Sequence, residues 1–167
     1  MTDTRKIAYV TGGMGGIGTA ISQRLCKSGF KVIAGCGPGS PRKDRWLADM
    51  HAQGYEVYAS EGNVSNWDST RAAFEKVRAE HGPADVLINN AGVAYRSVAE
   101  HLMPRDAFHQ LATNFLGPMD LARLVLPGMR VRRFGRIINV SSVSGMMAMP
   151  TMGAYSASKF ALEGGSE

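Results

Sequence analysis

Short apolar or β-branched runs alternate along this chain with longer stretches in which apolar residues recur every three or four positions. The short runs predict strands over residues 6–10, 31–35, 56–60, 86–89 and 136–140. The longer stretches predict helices over 16–28, ended by Gly29, and over 41–53, with Ser40 as N-cap and Pro41 in the first position. They predict further helices over 66–81, stopped by Gly82-Pro83, and from 104 to about 130. A last helix starts near Gly153 and is left unfinished at Glu167. Neither a linker nor an internal repeat interrupts the series.

Strand, helix, strand repeated in this way gives parallel pairing with right-handed crossovers. The fold class expected is therefore α/β, a doubly wound parallel sheet of the Rossmann-like kind. Such sheets bind ligands beyond the carboxyl ends of their strands, at the switch point beside the first strand. Chemistry-bearing residues are expected just after the strands.

Composition narrows the partners. The 167 residues suit one domain. With 44% hydrophobic and 20% charged residues, the chain can form a core and is not a disordered polymer. Nineteen Lys and Arg against 14 Asp and Glu leave a mild +5, which suits an anionic ligand such as a nucleotide or a phosphorylated thioester. The densest basic group, Arg130, Arg132, Arg133 and Arg136, falls where a helix hands over to a strand and reads as a solvated turn, so no nucleic acid is expected. No run of 18 apolar residues exists, so no membrane span is expected, and the opening residues lack the pattern of a signal peptide; the reading is cytoplasmic. Cys26 and Cys36 have no metal or redox spacing, and His51, His81, His101 and His109 are scattered, so no metal is expected.

After the first strand comes Thr11-Gly12-Gly13-Met14-Gly15-Gly16-Ile17-Gly18, leading into a helix. It fits GxGxxG at Gly13, Gly15 and Gly18, and TGxxxGxG at Gly12, Gly16 and Gly18. In either register the missing Cβ atoms let the backbone approach a pyrophosphate held by the helix N-terminus, and the second places Gly12, Gly16, Ile17 and Gly18 against it. The end of the second strand selects the nucleotide: an acid there holds the ribose 2′-hydroxyl of NAD, a base accepts the 2′-phosphate of NADP. Gly35-Cys36-Gly37-Pro38-Gly39-Ser40-Pro41-Arg42-Lys43 holds no acid before Asp44. Gly35, Ser40 and Arg42 are thus candidates for NADPH/NADP; the plain alternative is that Arg42 and Lys43 are only a solvated helix face.

Three further motifs follow strands. Asn89-Asn90-Ala91-Gly92 follows the fourth, Asn139-Val140-Ser141-Ser142 ends the fifth, and Tyr155-Ser156-Ala157-Ser158-Lys159 opens the last helix. Tyr155 and Lys159 are i and i+4 on a helix, so their Cβ atoms lie roughly 5–6 Å apart. A tyrosine hydroxyl has a reference pKa of about 10, and a neighbouring ammonium favours its ionised form. Singly, each position has a plain explanation: Ser141 or Ser142 caps a strand end, Tyr155 is a half-buried helix residue, Asn114 is a polar group near a kink at Pro118. Together they do not reduce to that.

With the glycine loop, these motifs in this order and spacing, over essentially the whole chain, resemble the short-chain dehydrogenase/reductase family. The resemblance implies that hydride comes from the nicotinamide and that Tyr155 gives a proton to the substrate carbonyl oxygen. It implies that Ser142 holds and polarises that oxygen, and that Tyr155 and Lys159 also bind the nicotinamide ribose. Asn114, within Thr113-Asn114-Phe115, matches the asparagine that interrupts the long helix and holds a relay water. Asn90, Ala91 and Gly92 lie against the cofactor, and Asn63 and Val64 stand beside the adenine, with Asn63 in place of the usual acid.

The tracts IAYVTGGMGGIGTAI, AGCGPGSPR, ASEGNV with NWDST, and DVLINNAG are especially similar to the bacterial acetoacetyl-CoA reductase branch. That implies reduction of a 3-oxoacyl-CoA to its 3-hydroxy form with NADPH, feeding polyhydroxyalkanoate synthesis. Residues 144–152, with Met146, Met147, Met149 and Met152, should border the pocket, and the stretch from Leu124 to Gly164 is more similar to members acting on apolar ketones or alcohols. A broad ketone reductase or alcohol dehydrogenase is therefore a second reading. Family members continue well past Glu167 with more strands and a substrate loop, so the chain is expected to be a single nucleotide-binding domain truncated at its C-terminus. A catalytically silent nucleotide-binding fragment is the third reading. In the family the long helix and the Tyr/Lys helix pair between subunits, which implies a homo-oligomer.

Overall fold

The computed structural model describes residues 5–167. Strands β1 (Ile7–Val10), β2 (Lys31–Cys36), β3 (Val57–Glu61), β4 (Val86–Asn89) and β5 (Arg136–Asn139) form one parallel sheet in the order β3-β2-β1-β4-β5. Helices α1 (Gly16–Lys27), α2 (Lys43–Ala52), α3 (Trp67–His81), α4 (Pro104–Leu111), α5 (Gly117–Arg132) and α6 (Gly153–Gly164) connect and follow the strands. The strand order reverses beside β1, which places the switch point between the loops after β1 and β4.

Alternation along the strands builds a core on each face of the sheet. Ile7, Tyr9, Ile33 and Leu87 pack against Phe74 and Val77 of α3 and against Leu121, Val125 and Met129 of α5. Ala8, Val10, Val32, Val57, Val86 and Ile88 pack against Ile21 and Leu25 of α1 and Trp46, Leu47 and Met50 of α2. Burial on both faces is why the strands read as continuous apolar runs. β5 is one of the two edge strands, and Ile138 is 48% exposed there, whereas every residue of β4 is buried.

Two helices depart from the sequence reading. α2 starts at Lys43 and not at Pro41. Pro38 and Gly39 occupy the centre of a tight turn closed by Ser40 N to Gly37 O at 3.2 Å, with Gly39 at φ +64°. Proline followed by a positive-φ glycine is the demand of a type II turn. The Ser40 carbonyl then closes a second turn with Lys43 N, so Ser40 serves through its backbone and caps no helix. The long helix expected from 104 to about 130 is in fact α4 and α5 joined by a π-helical turn over Ala112–Leu116, and α5 runs on to Arg132. Pro118 has no N–H to offer the Asn114 carbonyl four residues back, and Gly117 N reaches Ala112 O instead. By contrast α3 starts as expected, with Asn66 Oδ1 accepting from Ser69 N at 2.9 Å.

Candidate active site

The loop after β1 is shaped by what its glycines touch. Gly12 has φ +60°, and a Cβ there would stand 3.0 Å from Ala91 Cα. A Cβ on Gly18 would lie 2.1 Å from Gly12 O, and one on Gly13 would lie 2.8 Å from Ala34 Cβ. These three are bare because the protein's own backbone occupies the space. Gly16 differs: no protein atom lies within 4 Å of its Cβ position. Of the two registers in the sequence, the one through Gly12, Gly16 and Gly18 is therefore the one with a glycine whose open side faces no protein, at the N-terminal turn of α1. Ile17 beside it is 66% exposed.

Thr11 fastens this loop to the one after β4. Its buried Oγ1 accepts from Asn90 N and from Ala91 N, each at 3.0 Å, and Asn90 Nδ2 donates back to Thr11 O and Gly12 O. The sequence reading missed Thr11; a hydroxyl at the end of an otherwise apolar strand was the available signal.

Two adjoining cavities open at this edge. One, of about 130 Å³, is lined by Gly12, Gly35, Cys36, Asn63, Val64 and Ala91. The other, of about 170 Å³, runs from Gly12 and Gly15 past Gly35 and Gly37 to Ser40 and Arg42. All of these are sequence candidates or their neighbours, brought together from four strand ends. Lys43 is not free to join them: it pairs with Glu61 at the end of β3, which also accepts from Gly39 N at 2.8 Å. That hydrogen bond pushes the Lys43 ammonium up and holds the Glu61 carboxyl below the usual carboxylate range. Asn63 Oδ1 is taken by Ser65 N and Ser65 Oγ, which leaves its Nδ2 as the group to offer. A glycine with open space, two joined cavities and an exposed arginine fit an extended, phosphate-bearing nucleotide.

The other candidates converge beside Gly92. A Cβ on Gly92 would stand 3.3 Å from Asn114 Oδ1 and 3.9 Å from Lys159 Nζ. Asn114 is buried in the π-helical turn; Oδ1 accepts from Val93 N at 2.9 Å, and Nδ2 donates to Val93 O at 2.8 Å and to Ser158 Oγ at 2.9 Å. Lys159 is only 5% exposed, and Nζ donates to Val140 O at 2.8 Å, just past β5. Desolvation pushes its ammonium below the ordinary lysine range, and Glu163 one turn on offsets part of that. Nζ lies 5.9 Å from the centroid of the Tyr155 ring. Ser142 Oγ accepts from Ser144 N at 3.1 Å and so caps a short 3-10 turn. Its O–H has no protein acceptor among the described residues.

A third cavity, of about 540 Å³, is walled by Tyr95, Val98, Leu102, Met149, Pro150 and Ala154, the last of which immediately precedes Tyr155 in α6. Of the four methionines expected to border the pocket, Met149 alone does so; Met146 and Met147 are 80% and 58% exposed elsewhere. From residues 144–152 only Met149, Pro150 and Thr151 line the cavity. Sequence reasoning also passed over Gly117, where a Cβ would lie 2.3 Å from Val64 O and part α5 from the loop after β3. A glycine inside a helical pattern was the signal.

A family model described as short chain dehydrogenase matches residues 6–167. The chain is 50% identical over 161 residues to acetoacetyl-CoA reductase of Cupriavidus necator, covering 96% of this chain and 65% of that protein. It is 40% identical to nodulation protein G of Azospirillum brasilense, covering 93% of this chain and 63% of that protein. A crystal structure of a short-chain dehydrogenase from Streptomyces avermitilis superposes with a TM-score of 0.88 at 32% identity, over 99% of this chain and 60% of that one. The chain thus spans somewhat under two thirds of the length of the relatives it matches.

Proposed function

Because the chain belongs to the short chain dehydrogenase family, we propose that it is a single nucleotide-binding domain of an oxidoreductase that reduces the 3-oxo group of an acyl-CoA, acetoacetyl-CoA above all, with NADPH. The observation that carries this is Lys159: a buried ammonium, one helical turn from Tyr155, held by Val140 O against Gly92. Burying a lone ammonium is expensive, and packing alone does not call for one.

The glycine loop receives the pyrophosphate, with Gly16 giving it room. Ser40 and Arg42 read the 2′-phosphate while Glu61 keeps Lys43 apart; Asn63, Val64, Asn90 and Ala91 flank the nucleotide. When bound, the nicotinamide supplies hydride. Ser142, whose oxygen already accepts from Ser144 N, donates its O–H to the substrate carbonyl oxygen. Tyr155 gives that oxygen its proton. Lys159 fixes Tyr155 electrostatically and has donors to spare for a ribose hydroxyl. Asn114 holds Val93 and Ser158 in place, and its backbone carbonyl, which Pro118 cannot serve as a donor, is the group that would hold a relay water.

The wall of the third cavity favours the second reading, a broad reductase of apolar ketones: its one charged member is Glu100 and it contains no basic side chain. Exposed Phe108, Leu116 and Phe160 on α4, the π-helical turn and α6 support self-association. No helix among the described residues is long and apolar enough to cross a membrane.

A thermal melt with NADPH, with NADH and with neither tests the cofactor site. Ligand at a hundred times its dissociation constant adds about 2.7 kcal/mol, so NADPH should raise the midpoint and NADH should do so less. Turnover of acetoacetyl-CoA against a simple apolar ketone then separates the two enzyme readings. A shift without turnover of either marks a silent nucleotide-binding chain.

A further inference from the structure

Gln110 is the fully buried residue of α4, yet its Nε2 has no partner among the described residues. A buried donor left unmet is costly, and a methionine would fill the same space without that cost. The bond Gln110 does make is through Oε1, which accepts from Tyr95 N at 2.9 Å. One helical turn later Asn114 grips Val93 by both its N–H and its C=O. Residues 93 and 95 are alternate positions of a segment that has left the sheet after β4, so two side-chain amides stand where a neighbouring strand would otherwise satisfy the backbone.

Tyr95 is the residue this fixes. It lines the 540 Å³ cavity together with Ala154, the residue before Tyr155, and its hydroxyl bonds His109 Nδ1 at 2.7 Å, with the two rings stacked at 5.8 Å. Neighbours in α4 therefore hold Tyr95 at both ends, Gln110 at the backbone and His109 at the ring tip. We propose that Gln110 is a substrate-positioning residue: resting on the reductase reading above, it fixes Tyr95 as a rigid wall and so sets how tightly the apolar part of the substrate is held.

Gln110→Met keeps the length and removes the acceptor, and Gln110→Glu keeps an oxygen in place. Gln110→Met is expected to raise KM for the better of acetoacetyl-CoA and a simple apolar ketone about tenfold, with kcat and the NADPH dissociation constant changed by no more than about twofold. Gln110→Glu should bring KM back to within about threefold of the unmodified chain. An unchanged KM, or kcat and cofactor affinity falling along with it, overturns the proposal. Hydrogen exchange reads the contact without turnover: the Tyr95 amide should exchange about tenfold faster in Gln110→Met while the Val93 amide keeps its rate. If the unmodified chain turns over neither substrate, the reductase reading fails by itself, and equal exchange at Tyr95 would still sink the role given to Gln110.

Discussion

Asn114 Nδ2 donates to Ser158 Oγ at 2.9 Å, a bond between buried atoms that ties the π-helical turn to α6 one residue before Lys159. The same side chain holds both backbone groups of Val93. Asn114→Leu would leave the part-buried Val93 N–H and C=O without partners. Each such orphan costs about 1–3 kcal/mol, so a loss of about 2–4 kcal/mol is expected, a fall in Tm of roughly 4–16 °C. Ser158→Ala removes only the tie to α6 and should cost about 1 kcal/mol. Urea unfolding of both variants checks this, and equal midpoints for Asn114→Leu and the unmodified chain would refute the tie.

Lys159 makes stability depend on pH in the direction opposite to a surface lysine with an acidic partner. Desolvation lowers its folded-state pKa below the unfolded value. Between those two values the unfolded chain binds the extra proton, so stability rises with pH across that window and is least below it. Lys159→Met abolishes this dependence. The variant is expected to be at least as stable as the unmodified chain at pH 7, with the unmodified chain gaining on it as the pH climbs towards about 10.5, the ordinary lysine value. Denaturant titrations at several pH values check the sign, and a gap that widens with pH would contradict it.

Tyr155→Phe removes one oxygen from a half-buried ring and leaves the glycine loop untouched. Turnover should fall by at least about a thousandfold, the scale of a lost proton donor together with its hydrogen bond to the substrate, while the shift in melting temperature with NADPH persists. Retained turnover would refute the assignment of the proton to Tyr155.

Much of this was legible because motifs sit where strands end. The runs around Tyr9, Ile33 and Leu87 gave both faces of the core, and the topology followed from alternation. What stayed hidden depended on groups meeting across the fold. Thr11 reads as an ordinary strand end until Asn90 and Ala91 arrive against its hydroxyl. Gln110 and Asn114 are only polar residues in a helix until residues 93–95 lie beside them. At Ser40-Pro41 two local signals competed, and the turn chemistry of Pro38-Gly39 prevailed over the capping pattern. The Met-rich segment was misjudged because pocket lining depends on loop geometry, which hydrophobicity does not encode.

Thr151 carries a strain that can be relieved. It is β-branched, yet it sits at φ +65°, and its carbonyl accepts from Ser97 N at 2.9 Å across the mouth of the cavity. A non-glycine residue there costs about 1–2 kcal/mol, whereas glycine loses about 0.4–1 kcal/mol through the freedom it gains when unfolded. Thr151→Gly should therefore stabilise the chain by about 0.5–1 kcal/mol. A higher urea midpoint with an unchanged slope is the expected result, and a lower midpoint would show that the threonine side chain contributes more than its backbone costs.

Gly16 and Gly18 lie two residues apart, and alanine should act on them in opposite ways. A methyl on Gly18 meets Gly12 O at 2.1 Å, backbone against backbone, and neither can yield without opening the turn. Gly18→Ala should cost at least about 1–3 kcal/mol of stability and abolish cofactor binding with it. A methyl on Gly16 meets nothing in the protein. At the first position of α1, without a positive φ, alanine should be neutral or stabilising by up to about 1 kcal/mol. The only thing it can obstruct is a ligand laid against that turn, so Gly16→Ala should weaken NADPH binding by about tenfold or more, the scale of one spoiled close contact. Isothermal titration with NADPH and a urea melt of each variant separate the two effects. A Gly16→Ala chain that binds NADPH as tightly as the unmodified one would mean that the pyrophosphate does not lie over Gly16, and with it would go the register through Gly12, Gly16 and Gly18.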